Sequence, residues 1–422
     1  MVSLERWTPF FWGQDRFGML VPLLAMPLRN PLTNLLFQGW ATTTAALLAP
    51  FFVARYFGAS RYWFAAGALA DALFLLVVSP SIQFDWLVRQ PYGLSMSLAF
   101  GALLLAERPS RWRRAAAVAL FSLACWVNLA IAPFMLLCIA ARPIATWPRE
   151  LSIASVGFAV GGLARRLTTA PPTTTDFAAP AVWPEAWWHL AQNSFAELAH
   201  PLALVAVIVL AASATARLLA SGRVGEWSRG ALAALIVAAV YALAVGTLEH
   251  VRLNDYFARY VYPSQLLAAV AMAFPIVWMV RRPLHAAALG TAACAIITIA
   301  VYGAPSMKRL NRTIDEQMGS YSADVLAARA TVIAGDYWTV WPAVFHANLT
   351  SYKNGTFVTV YGLTYRSEPT NALWSGATRE RGVVVAAARS DETVNPWLSR
   401  LNVPIAFLGY RRSLALFAVG HR

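Results

Sequence analysis

The chain is 422 residues long, 59% hydrophobic and only 13% charged, with a mean hydropathy of +0.53. A soluble globular domain is about 45–50% apolar and about 25% charged, so disorder, a collagen-like fibre and an ordinary soluble enzyme are excluded. The formal charge of +14 rests on 34 basic residues, of which only Lys308 and Lys353 are lysine; the arginines stand mostly at the ends of apolar runs and read as topology signals, not as a nucleic-acid surface.

The first residues lack a basic segment followed by an uninterrupted apolar core, so no cleavable signal peptide is expected. Residues 16–31 (RFGMLVPLLAMPLRNP) are apolar on one side, short and broken by proline, as an interfacial helix would be. Apolar runs bounded by charged breaks then give candidate spans near 32–53, 62–80, 91–106, 201–219, 230–248, 261–280 and 284–303. Between them, 115–141 reads either as one long helix or as two short ones broken around Asn128 and Pro133, and a further short span covers 150–164.

Arginine placement arbitrates. Arg108, Arg111, Arg113 and Arg114 mark one inner loop, Arg217, Arg223 and Arg229 a second, and Arg281 and Arg282 a third. The first two share a side only if 115–141 counts as two crossings, which also places Arg142 and Arg149 inside and leaves Arg165 and Arg166 outside. The expected fold is therefore an α-helical polytopic membrane protein of about 10 hydrophobic crossings, some short. By the same parity the loop 81–90 and residues 1–31 are external, which leaves two expectations open: the parity fails here, or a first membrane helix precedes the given start. From about 304 to 422 apolar stretches (Ala330–Ala334, Phe357–Tyr361, Val383–Ala387, Leu414–Val419) alternate with helix-like segments, the pattern of a small soluble α/β domain, external by parity. Residues 1–31, 32–303 and 304–422 are thus read as external loop with interfacial helix, transmembrane domain and external domain.

The three cysteines, Cys125, Cys138 and Cys294, lie inside apolar runs and exclude a disulfide framework or a zinc cluster. Polar groups at membrane depth or on external loops carry most information in such a chain. Asp15, in Trp12–Gly18 (WGQDRFG), and Asp85, in Phe84–Tyr92 (FDWLVRQPY), fall on the same expected side. Two carboxylates from separate loops can converge as a general base and as ligands of a hard divalent cation such as Mg or Mn; alternatively each pairs with its own arginine, Asp15 with Arg16 and Asp85 with Arg89. The loop Glu249–Pro263 (EHVRLNDYFARYVYP) holds Arg252 and Arg259, whose planar forks suit a phosphate or diphosphate, interleaved with Tyr256, Tyr260 and Tyr262. The same composition suits an aromatic belt with arginines on lipid phosphates. Asp71, inside a span, calls for an interior partner, more in keeping with a structural hydrogen bond than with transport. In the tail, Val332–His346 reads as a strand, a Gly335-Asp336 turn and a helix, where Asp336 and Trp338 either meet a ligand or serve as cap and packing. No phosphate loop, Gly-x-Ser-x-Gly, His-Glu-x-x-His or Cys-x-x-Cys is present.

This layout resembles the C-type membrane glycosyltransferases (mannosyltransferase-like or aminoarabinose-transferase-like), which take sugars from polyprenyl-phosphate or -diphosphate carriers. The resemblance lies in an Asp in the first external loop before an interfacial helix, a second acid in the next external loop, a mid-chain pair of short helices, the late Arg259-Tyr260 and the external α/β tail. It implies that Asp15 activates the acceptor, that Asp85 is the second, often metal-associated acid, and that Arg259, with Tyr260 and Arg252, holds the carrier phosphate. Many members have two adjacent acids where this chain has Gln14-Asp15-Arg16. The expected setting is a bacterial inner or plasma membrane with the site facing the periplasm. The partners would be membrane lipid, a polyprenyl-linked sugar donor and a glycan, lipid or protein acceptor, with no nucleic acid. A lipid-linked glycan flippase and a non-catalytic scaffold are the competing expectations.

Overall fold

The computed structural model describes residues 10, 18–58, 62–108, 110–167, 176–222, 225–280, 284–285, 288, 291–292, 295–296, 299, 307–356, 358–363, 383–388 and 405–419. Asp15 and most of the expected span 284–303 lie outside the described residues. The chain forms two compact units, one of residues 15–27 and 35–301, the other of 1–14, 28–34 and 302–422.

The first unit is helical. A short α1 (Leu20–Ala25) is followed by α2 (Pro31–Gly58), α3 (Trp63–Val77), α4 (Pro80–Phe84), α5 (Tyr92–Ala106), α6 (Arg111–Val127), α7 (Ile131–Ala140) and α8 (Trp147–Ala164). Then come α9 (Trp183–Ala196), α10 (Pro201–Ala220), α11 (Glu226–Gly246), α12 (Glu249–Arg252) and α13 (Tyr262–Met279). Among the described residues four segments are long and apolar enough to cross a bilayer: Pro31–Gly58, Pro201–Ala220, Trp227–Gly246 and Ala258–Met279. Trp63–Val77, Tyr92–Ala106 and Ile131–Ala140 are apolar but shorter. This is the build of an integral membrane protein.

The segment 115–141 is two helices, not one. After α6 the chain turns at Asn128, whose backbone is extended and whose Oδ1 accepts from the Ala130 amide at 3.2 Å. Helix α7 has 10 residues, about 15 Å at 1.5 Å per residue, half a bilayer core. The amide of Gly18 donates to the Trp126 and Val127 carbonyls at 3.1 and 3.2 Å, so the end of α6 lies beside the chain's early residues.

Helices α6 and α8 approach closely through Gly157 and Gly161, two glycines four apart on one face. A Cβ at Gly161 would stand 2.5 Å from the Cβ of Cys125, and one at Gly157 would stand 2.7 Å from the Phe121 ring. Where α2, α5, α7 and α8 meet, an ionic clasp joins four helix ends. Arg55 reaches Glu107 at 3.1 Å, Arg142 lies 3.8 Å from Glu107 and 4.0 Å from Glu150, and Arg149 contacts Glu150 at 3.3 Å. Glu150, 1% exposed, also accepts from the Tyr56 hydroxyl at 2.7 Å, and the Arg142 guanidinium lies over the Tyr56 ring.

The second unit holds α14 (Met307–Ala327), β1 (Val332–Ala334), α15 (Tyr337–Lys353), β2 (Tyr361–Leu363), β3 (Val383–Ala388), β4 (Ile405–Arg411) and β5 (Leu414–Val419). The sheet order is β2-β1-β3-β5-β4, with β1 parallel to β2 and β3, and β5 antiparallel to β3 and β4. Period-two alternation sorts the strands: Ile333 and Ala386 pack with Val325 of α14 and Val340 and Val344 of α15, while Val332, Ala334, Val385 and Ala387 form a second cluster. With both faces of β3 buried, its run is apolar throughout, Val-Val-Val-Ala-Ala-Ala. The β4–β5 turn is pinned to α14 by Asp324, which accepts from Arg412 at 3.0 Å and Ser413 at 3.2 Å.

Candidate functional site

Away from the ionic clasp, four connections of the helical unit are tied in two pairs by backbone pairing. Residues 77–79 and 197–199 form an isolated antiparallel bridge: Ser79 N donates to Glu197 O at 2.8 Å and Ala199 N to Val77 O at 3.0 Å. Residues 176–178 pair likewise with 247–249. Such bridges satisfy loop amides that would otherwise need water.

Asp85 stands at the start of a five-residue π-helical turn, Asp85–Arg89. Ser79 caps the preceding α4, accepting from the Ile82 amide at 3.3 Å, and Pro80 opens that helix with a preset φ. The extra residue of a π turn re-aims the side chains it carries and is frequent at functional sites. Here it turns Asp85 inward: the residue is 1% exposed, and Tyr262 donates to its Oδ2 at 3.4 Å.

Tyr262 is the first residue of α13, with Pro263 behind it. Its ring meets Trp86 edge-on at 6.4 Å and Tyr92 at 6.0 Å, and Trp86 in turn meets Phe74 at 5.6 Å. These aromatic walls lower the local dielectric around Asp85 and strengthen any charge acting on it. Arg259 sits in the tight turn Ala258–Val261 just before α13, and both Asp85 and the Tyr92 hydroxyl act on it electrostatically. Its guanidinium lies over the Phe257 and Tyr260 rings, 5.1 Å from each centroid, and donates to the Tyr260 hydroxyl at 3.2 Å. That hydroxyl is 3.1 Å from Nε2 of His250.

A second carboxylate joins from α9's end. Glu197 accepts from the Ser79 hydroxyl at 2.7 Å, and its charge, like that of Asp85, reaches Tyr262. The loop between α12 and α13 is held by Asn193, whose side chain donates to the carbonyls of Asp255 and Tyr256 at 2.8 and 3.0 Å. Both residues take left-handed backbone angles, φ 53° and 51°, a conformation costly outside glycine. His189 stacks on the Tyr256 ring at 5.5 Å.

Of the residues singled out in the sequence, Asp85, Arg259 and Tyr260 share one neighbourhood. Arg252 instead pairs with Glu249 through both its Nε, at 2.8 Å, and its Nη2, on an exposed surface. That hydrogen bond holds the Glu249 carboxyl below the ordinary glutamate range. Asp336 caps α15, accepting from the Thr339 amide at 3.3 Å after the strand Val332–Ala334 and Gly335, so the strand-turn-helix expectation matches the fold. Trp338 lies in the first turn of α15. Asp71 is buried, and its Oδ1 finds no hydrogen-bond partner, unlike the interhelical bond expected of it. Glu197, which follows the tryptophan-containing α9, is a member of this site that the sequence did not single out.

Beside this cluster an apolar groove of about 200 Å³ runs between α3, α9, α10 and α13. Leu73, Phe74, Val77, Phe195, Val207 and Met272 line it, and Gln265, one turn beyond Tyr262, contributes a buried Oε1 without a partner. Among the described residues no group of three or more His, Cys, Asp or Glu side chains converges on one point. Asp85 is the only member of the expected metal pair among them, and the positive charge acting with it is Arg259. No protein-family model, curated protein or solved structure matches the chain.

Proposed function

We propose that the chain is a membrane glycosyltransferase that moves a sugar from a polyprenyl-phosphate or -diphosphate donor to a glycan, lipid or protein acceptor on the outer face of a bacterial inner membrane. The observation that carries this reading is a buried carboxylate, Asp85, hydrogen-bonded by Tyr262 and within electrostatic reach of Arg259, beside an apolar groove. A lipid carrier cannot leave the bilayer, so its phosphate must be met where helix ends reach the interface, and its chain needs an apolar path alongside. The expected 10 or so crossings, the periplasmic face and the external tail belong to the same proposal.

In this reading Arg259 holds the donor phosphate, its fork braced by the Tyr260 hydroxyl and its face by two rings. The acceptor hydroxyl gives its proton to a carboxylate, Asp85 or Asp15, as its oxygen attacks the anomeric carbon. The bond from that carbon to the phosphate oxygen breaks, the polyprenyl phosphate or diphosphate leaves, and Arg259 stabilises the charge it gains. One displacement inverts the anomeric centre. A Mg or Mn ion on Asp15 and Asp85 would supply further charge, and no step here depends on it.

Asp85→Asn keeps the shape and removes the base, so transfer of labelled sugar from a polyprenyl-phosphate donor in isolated membranes should fall by a factor of about 10²–10⁴. Wild-type transfer at normal expression would remove Asp85 from the chemistry. The second reading, a lipid-linked glycan flippase, draws on Asp71, a buried carboxyl whose Oδ1 is unpartnered in an apolar helix. Asp71→Asn would then stop substrate movement in a chain with no transferase activity.

A further inference from the structure

We propose that the connection between α5 and α6 is a binding site for anionic phospholipid headgroups of the leaflet it meets, an inference independent of the sugar-transfer reading. Residues 107–114 read ERPSRWRR. Arg108, Arg111 and Arg114 are exposed and Arg113 is half-buried. The one acid of the stretch, Glu107, is already engaged: Arg55 holds it at 3.1 Å and Arg142 lies 3.8 Å away. Among the described residues, none of the four arginines from Arg108 to Arg114 takes part in an ion pair.

The packing of the helical unit fixes where this charge sits. Gly157 lies against Phe121, and Gly161, one turn further, lies against Cys125, also one turn further, so α6 and α8 run parallel. Their N-terminal ends therefore stand together, and Arg149 in the first turn of α8 reaches back to the Glu107 carbonyl at 3.5 Å. Arg55 belongs to the last turn of α2, one of the four segments long and apolar enough to cross a bilayer. Its contact with Glu107 sets the arginine cluster at the level where that span ends, which is where lipid phosphates stand. Two large apolar side chains are exposed at the same end: Trp112, 85% exposed among the arginines, and Ile144, 74% exposed in the connection that leads into α8.

The cluster does not serve α6 itself. Cations in the first turn of a helix oppose its dipole, the first turn of α6 holds no acid, and Ser110 makes no side-chain cap there. A phosphodiester removes that cost, because its oxygens accept from a guanidinium fork in pairs. Each arginine near an anionic lipid surface contributes about fivefold in affinity. Trp112 and Ile144 favour lipid over a free anion: an indole ring and an aliphatic side chain gain nothing from a dissolved phosphate, whereas both fit the layer between headgroups and acyl chains.

The test titrates the full chain in a nonionic detergent with phosphatidylglycerol and, separately, with phosphatidylcholine, and reads bound lipid by native mass spectrometry. The wild type should prefer phosphatidylglycerol. R108Q/R111Q/R114Q, which changes only exposed side chains outside any ion pair, should lose about a hundredfold of that affinity while keeping its thermal midpoint. K308Q/R312Q/R329Q removes as much charge from the second unit and should bind as the wild type does. W112A should weaken both lipids alike. Equal affinity of the wild type for the two lipids would overturn the proposal, as would undiminished phosphatidylglycerol binding by the R108Q/R111Q/R114Q chain. Inorganic phosphate separates the two sources of the same chemistry: if an equimolar amount displaces the lipid, the site takes a free anion and the lipid assignment fails. Should the triple variant unfold, R111Q alone should weaken phosphatidylglycerol about fivefold, and added salt should weaken it in the wild type; an affinity unmoved by either change overturns the proposal.

Discussion

Glu150→Ala tests how the helical unit is held together. The carboxylate, 1% exposed, accepts from Tyr56 at 2.7 Å and Arg149 at 3.3 Å and lies 4.0 Å from Arg142, whose side chain is 16% exposed. Removing it leaves a mostly buried guanidinium and a buried hydroxyl facing a cavity. Breaking a buried pair from one side costs about 3–5 kcal/mol, because the surviving charge keeps its desolvation penalty. Arg142 retains Glu107 at 3.8 Å and donates to the Tyr56 carbonyl at 2.6 Å, which points to the lower end, about 3 kcal/mol. At about 2–4 °C per kcal/mol for a unit of this size, the unfolding midpoint in detergent should drop by roughly 6–12 °C. Glu249→Ala provides the matched control: it also removes a carboxylate paired with arginine, but an exposed one, and exposed pairs contribute little. Its midpoint should not move measurably. Equal shifts for the two variants would refute the argument that burial, and not pairing as such, gives the clasp its strength.

Two further changes probe packing and capping. Gly161→Ala places a methyl 2.5 Å from the Cys125 Cβ and should destabilise the unit by about 1–3 kcal/mol, whereas Gly162→Ala meets nothing within 4 Å and should gain a few tenths through helix propensity; thermal midpoints of the pair decide it, and a loss in both would mean the glycines serve backbone flexibility. Asp336→Ala removes an N-cap and should cost about 1 kcal/mol in the second unit while leaving sugar transfer unchanged; lost transfer with an unchanged midpoint would make Asp336 a ligand contact instead of a cap.

The span edges were legible because apolar length and arginine position are local properties. The expected 91–106 and 201–219 differ from α5 and α10 by a residue at one end. The break at Asn128 was legible for the same reason, since an Asn followed by a Pro five residues on weakens any continuous helix. What could not be read is whatever depends on partners distant in sequence. Arg142 and Arg149 were taken as markers of an inner loop, and their second role, closing on Glu107 and Glu150, rests on Tyr56, 94 positions from Glu150. Helix α9 was hidden by its composition: two prolines near its start and scattered tryptophans, with only Ala186 and Leu190 fully buried. With α9 went Glu197. The strand Ile405–Arg411 escaped because a bulge between Phe407 and Gly409 breaks its alternation.

The electrostatics of the candidate site explain why Arg252 keeps its place in the functional proposal although it does not contact Asp85. Among the described residues the cluster brings two carboxyl groups, Asp85 and Glu197, to the one guanidinium of Arg259. A phosphate entering beside Arg259 adds negative charge and needs compensation in a low-dielectric setting. Arg252 is seven residues earlier on the same loop, held by an exposed glutamate in a pair that contributes little to stability. A phosphate offers the same fork a denser negative charge than a single carboxylate. The loop carrying Arg252 folds back on itself, with the Tyr256 amide bonded to Val251 O at 3.0 Å, and the side chain of Asn193 braces its left-handed Asp255-Tyr256 step. Strain stored there lowers the cost of rearranging the loop when a ligand binds. Under the proposed function, Arg259 would be the preset half of a phosphate site and Arg252 the half recruited by charge, both on the segment between α11 and α13.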